Sequence, residues 1–177
     1  MCGDGSTMLI LVTGGAGSGK SAYAEELAAE LAEKDGGPLV YLATMLRGSG
    51  EAEARIAKHR KDRAGKGFRT IERALDLGGL TVPVDATVLL EDLGNLLGNE
   101  MFFPEGNGPK AVLDGIRHVK EHSRNIITVG NEVFSDGQVY GKTTEEYRRE
   151  LAMIQRTLAE QADRAVEVIC GCPNILK

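Results

Sequence analysis

Gly14-Gly15-Ala16-Gly17-Ser18-Gly19-Lys20-Ser21 follows directly on the apolar run MLILVT at 8–13 and opens an alanine- and glutamate-rich stretch. The octet satisfies G-x-x-x-x-G-K-[ST]. Glycines let the backbone curl so that successive N–H groups converge on phosphate oxygens, and a helix that follows adds its positive N-terminal end. Lys20 is spaced to reach β- and γ-phosphates, and the Ser21 hydroxyl to ligate Mg²⁺. The flanks agree: a short buried strand before the octet and a helix over roughly 19–34, stopped by Gly36-Gly37-Pro38. A phosphate-binding turn between strand and helix decides the fold class as α/β.

Working outward, LVYLA at 39–43, FRTIE at 68–72, ATVLLE at 86–91, NIITVG at 125–130 and AVEVIC at 165–170 predict further short strands. A charged helix is expected over 51–63 and another over 110–123, with 94–109 less regular. The last helix is expected to start near Thr143, with Glu146 in a capping box, and to bury Tyr147, Leu151, Ile154 and Leu158. Apolar strands alternating with helices imply a mostly parallel sheet covered on both faces. Residues 1–7 read as a flexible extension, and 8–177 as one nucleotide-binding domain.

Composition narrows the function. A net charge of −5 argues against general nucleic-acid binding, which needs a basic face. No apolar run is long enough to span a membrane. MCGDGST has neither the basic nor the apolar region of a signal peptide, and three cysteines do not make a disulfide framework. A cytoplasmic enzyme acting on nucleotides is the reading these features leave.

Two further stretches carry chemistry. VLLED at 88–92 reads as the acidic strand end that accompanies a phosphate loop, with either Glu91 or Asp92 holding Mg²⁺ or its waters. Residues 55–63, RIAKHRKDR, put Arg55, His59 and Arg63 on one helical face. Flanking cations favour the neutral, nucleophilic imidazole and could hold a triphosphate, although a charged helix can equally be a solvated face.

Together ILVTGGAGSGKS, LVYLAT, RIAKHRKDR with FRTIE, VLLEDLGNLLGN and TVGNEV resemble the adenosylcobinamide kinase/adenosylcobinamide-phosphate guanylyltransferase family. The resemblance runs from about Met8 to the C-terminus. It implies a P-loop three-layer sandwich assembled as a homotrimer, with ATP and GTP as substrates beside a corrinoid. It also implies that His59 accepts GMP and that Arg60, Lys61, Asp62 and Arg63 lie along the nucleotide. Thr44, Glu72 and Glu91 fall at further nucleotide-contacting positions. The chain departs from the usual pattern at Gly17, Phe68, Asp92, the Phe134-Ser135-Asp136 stretch, and Arg149, Ala152, Gln155 and Arg156. A different small-molecule kinase with the same loop, or a nucleotide-dependent regulatory protein, would share the phosphate site without the histidine chemistry.

Two patterns point elsewhere. His118-Val119-Lys120-Glu121-His122 matches a zinc-peptidase pattern, but on a lysine-flanked helix with no third ligand it reads as a solvated face. Cys170 and Cys172 are expected to alternate on the final strand and pack into the core.

Overall fold

The computed structural model describes residues 7–46, Ala57 and 65–177. The helix expected over 51–63 therefore lies outside the described residues, except for Ala57, which is helical and exposed.

Among the described residues, seven strands form one sheet in the order β3-β2-β4-β5-β1-β6-β7. These are β1 (Met8–Thr13), β2 (Leu39–Ala43), β3 (Arg69–Glu72), β4 (Thr87–Glu91), β5 (Asn125–Val129), β6 (Arg164–Ile169) and β7 (Cys172–Ile175). All neighbours run parallel except β6 and β7. The central strands are buried on both faces: Leu9, Ile10, Leu11 and Val12 of β1, and Val88, Leu89 and Leu90 of β4. Continuous apolar runs of this kind, without alternation, suit a sheet covered on both sides.

Helix α1 (Lys20–Asp35) covers one face, where Ala24, Ala28 and Ala32 allow it to lie close on Ile10, Val12, Ile127 and Val166. Its end is set by Gly36 at φ 74°, which donates its N–H to the Ala32 carbonyl at 2.9 Å. Helices α2 (Leu93–Phe102), α3 (Pro109–Glu121) and α4 (Lys142–Gln161) cover the other. Leu93, Leu96 and Leu97, then Val112, Ile116 and Val119, then Leu151, Ile154 and Leu158 step at helical spacing into a single core. Among the described residues no helix is long and apolar enough to cross a membrane.

Three expectations need correction. The stretch 94–109 is irregular only over 103–108: its first part belongs to helix α2, capped by Asp92, whose Oδ1 accepts from the Asn95 N–H at 2.7 Å. Gly94, Asn95, Gly98 and Asn99 are poor helix formers, but tertiary bonds outweigh propensity. Asn99 donates its amide to the carbonyls of Thr44 and Ala74, both at 2.8 Å. The buried Glu100 carboxylate accepts from Asp76 N at 2.6 Å and Asn107 N at 2.8 Å.

The expected capping box on α4 does not form. Gly141 occupies the cap position without a side-chain bond, and Glu145 instead accepts from Tyr140 N at 3.1 Å. Arg148, one turn further, gathers the loop before α4 by donating to the carbonyls of Val133 and Phe134 at 3.2 and 3.0 Å. The two cysteines do not share a strand face. Cys170 and Gly171, at φ 49° and 80°, make the two-residue turn that joins β6 to β7. Two successive positive φ values are what such a hairpin requires, and both thiols are exposed rather than in the core.

Candidate active site

The turn 14–19 connects β1 to α1 at the C-terminal ends of the parallel strands, where α/β sheets place their ligands. Gly14 cannot carry a side chain: a Cβ there would lie 2.5 Å from the Val168 carbonyl oxygen. Lys20 is the first residue of α1 and nearly buried, and its Nζ donates to the Gly15 carbonyl at 3.1 Å, so the ammonium lies over the loop.

Ser21 faces β4. Its hydroxyl donates to Glu91 Oε1 at 2.5 Å, while the Tyr41 hydroxyl donates to Glu91 Oε2 at 3.0 Å. Tyr41 is in turn set edge-on against Phe68, ring centroids 6.0 Å apart. Of the two adjacent carboxylates, then, Glu91 meets the phosphate loop. Asp92 also lines the cleft, but both its oxygens are engaged by Asn95, the second by the Asn95 amide at 3.0 Å.

Thr44 is fully buried, with its hydroxyl 3.0 Å from the carbonyl oxygens of both Glu91 and Asp92. It braces the backbone that carries the two carboxylates, and its neighbour Met45 faces the cleft. Glu72 is exposed at the end of β3, paired in register with Ala43. His59, Arg60, Lys61, Asp62 and Arg63 lie outside the described residues.

The cleft in front of the loop is about 480 Å³. Lys20, Ser21 and Glu91 line it together with Asn95, Asn131 and Tyr147. The segment after β5 is stitched to the loop: Glu132 N donates to the Gly14 carbonyl at 3.0 Å. Gln155 spans two pieces, accepting from the Thr13 hydroxyl at 2.9 Å and donating to the Asn131 carbonyl at 3.0 Å. Tyr147 donates to the Gly94 carbonyl at 3.1 Å, and burial, with a smaller contribution from the Asp92 charge, pushes its hydroxyl above the usual tyrosine range.

Tyr41, Thr13 and Asn95 had not been singled out as site residues. The signal for Tyr41 is a lone hydroxyl within an otherwise apolar buried strand, which needs a polar partner. His118 and His122 each turn a ring nitrogen to a backbone carbonyl, of Leu80 at 2.9 Å and of His118 at 2.8 Å respectively. Among the described residues no cluster of three or more His, Cys, Asp or Glu side chains is placed to hold a metal.

A phosphate loop with its lysine over the turn and its serine paired to the acidic end of a neighbouring strand defines a P-loop nucleotide-binding α/β protein. The fold is similar to that of the flagellar accessory protein FlaH from Methanocaldococcus jannaschii, with a TM-score of 0.52 at 13% identity over 96% of this chain and 78% of that one. The chain belongs to the cobinamide kinase / cobinamide phosphate guanyltransferase family, whose profile matches residues 10–176. It is 34% identical to the bifunctional adenosylcobalamin biosynthesis protein CobP of Pseudomonas aeruginosa over 176 residues, covering 94% of this chain and 96% of that protein. It is 31% identical to the bifunctional adenosylcobalamin biosynthesis protein CobU of Salmonella typhimurium, covering 93% of this chain and 97% of that protein.

Proposed function

We propose that this chain phosphorylates the side-chain hydroxyl of adenosylcobinamide with ATP or GTP, then transfers GMP from GTP onto that phosphate to give adenosylcobinamide-GDP. The observation that carries the reading is the Lys20–Ser21–Glu91 arrangement, within a chain that matches the family over nearly its whole length. In the first step the acceptor oxygen bonds to the γ-phosphorus and gives up its proton to water, as the bond from that phosphorus to the β–γ bridging oxygen breaks and the nucleoside diphosphate leaves. Lys20 and the N–H groups of 14–19 take up the charge of the phosphate oxygens. The donors fit Mg²⁺: the Ser21 hydroxyl and the Glu91 carboxylate are two hard oxygen donors in contact, and phosphates and waters would complete six-fold coordination. The ion, when bound, supplies charge neutralisation at the β- and γ-phosphates.

In the second step a neutral His59 nitrogen attacks the α-phosphorus of GTP and pyrophosphate leaves. The acceptor's phosphate oxygen then displaces the histidine. Arg60, Lys61, Asp62, Arg63 and Glu72 are assigned to the nucleotide in this step, and Thr44 to holding Glu91. The protein works in the cytoplasm as a homotrimer.

The test is incubation with α-labelled GTP. A label that is stable in base and labile in acid is expected on the wild type, because protonating the bridging nitrogen makes it a good leaving group. His59→Asn is expected to abolish it while leaving phosphorylation of cobinamide in place. Label that persists in this variant, or that maps to another residue by mass spectrometry, refutes the histidine intermediate.

A further inference from the structure

On the β6 side the phosphate loop packs against backbone: Gly171 N donates to the Ser18 carbonyl at 2.8 Å, and a Cβ on Gly19 would lie 3.3 Å from Gly171 Cα. Among the described residues, the lining of the cleft extends from the loop to Asn95, Asn131 and Tyr147.

Tyr147 belongs to two surfaces. It lines the cleft, and with Phe102, Thr143 and Thr144 it lines a shallow, mainly apolar hollow of about 370 Å³. The Phe102 and Tyr147 rings are 6.2 Å apart and tilted by 34°, which makes a step rather than a stack. The step is set in place before any ligand arrives. The Tyr147 hydroxyl is tied to Gly94, and a Cβ on Gly98 beneath the ring would meet it at 4.0 Å. Phe102 is 53% exposed and Phe103, beside it, 45%.

An exposed aromatic step that continues into a phosphate cleft suits a ligand with a broad apolar face and a reacting group at the end of an arm. Thr143 and Thr144 also line the hollow and bring hydroxyl groups, which polar amide substituents of such a ligand would need as partners. We infer that the acceptor's flat macrocycle rests on Phe102 and Tyr147, so that its hydroxyl-bearing arm enters the cleft between Asn95 and Asn131 toward Lys20. This rests on the reading of the acceptor as a corrinoid. Phe102 and Tyr147 are then the residues that select for a macrocyclic acceptor over a small alcohol.

The experiment compares wild type, Phe102→Ala and Phe102→Trp in steady-state phosphorylation of cobinamide by GTP, with molecular mass by light scattering. Phe102 ends α2 about half exposed and is not part of the buried core, so its removal leaves the core in place. The KM for cobinamide is expected to rise roughly tenfold in Phe102→Ala, as for loss of an aromatic contact, and to recover in Phe102→Trp. The KM for GTP and the mass should stay unchanged. An unchanged KM for cobinamide in Phe102→Ala overturns the inference while leaving the kinase reading intact. A change of mass also overturns it, because the face then lies between copies of the chain. If the wild type binds GTP but phosphorylates no cobinamide, the reading of the acceptor fails, and this inference fails with it.

Discussion

Glu91 and Asp92 are chemically alike, adjacent and both in the lining of one cleft, yet they do different work. Glu91 is shared between Ser21 and Tyr41, whereas Asp92 caps α2. Glu91→Gln is therefore expected to lower kinase turnover by about two orders of magnitude and to raise the Mg²⁺ concentration needed for half-maximal rate. Asp92→Ala should instead cost about 1 kcal/mol of stability, as for loss of a helix cap, with turnover much less affected. A Mg²⁺ titration and a denaturant titration on both variants check the pair, and equal effects on turnover would show that the division is wrong. The sequence named both carboxylates but could not choose between them. Strand alternation decides which side chain points inward only while the strand lasts, and the chain passes from β4 to α2 across this very pair. With α2 unrecognised, the capping task of Asp92 was invisible. Lys20 and Ser21 were legible because the loop motif sets their geometry locally, through backbone turns and one helix start. Tyr41 and Gln155 reach the site by packing from elements distant in sequence: the local pattern shows that Tyr41 needs a polar partner, but not which one.

Among the elements, β1, β2, β4 and β5 were readable because each is a short, largely apolar, buried run between turn residues. α2 was not, because its glycines and asparagines hide the spacing of Leu93, Leu96 and Leu97. What holds it is Asn99 and Glu100, which tie it to the loops after β2 and β3 and to the turn before α3. Glu100→Ala would leave two backbone N–H groups without their carboxylate partner. A loss of about 3 kcal/mol is expected, read from the urea midpoint. A loss below about 1 kcal/mol would mean that these loops are held in place by other contacts. The β6–β7 hairpin was missed for a similar reason. Cys170 and Cys172 look like strand alternation, and only the paired positive φ values at Cys170 and Gly171 reveal the turn.

At the scale of the whole molecule, the layered architecture followed from the alternation of strands and helices, since a parallel sheet needs crossover helices on its faces. Assembly is a property of surfaces and was open only to resemblance. A trimer is expected in solution, and light scattering at micromolar concentration should give a mass about three times that of the chain, 18.9 kDa. A monomer mass would contradict the proposed assembly. The order of strands has a further consequence for how the protein comes into being. β1, which carries the phosphate loop, lies between β5 and β6, both of which are synthesised much later. As the polypeptide leaves the ribosome, β2, β3 and β4 can already associate with one another, whereas β1 waits with both edges unpaired. The loop also waits for Gly171, whose N–H donates to the Ser18 carbonyl. The nucleotide pocket, encoded early, is thus expected to be among the last parts of the nascent chain to become native, since β1 gains its first partner with β5 and its second only with β6.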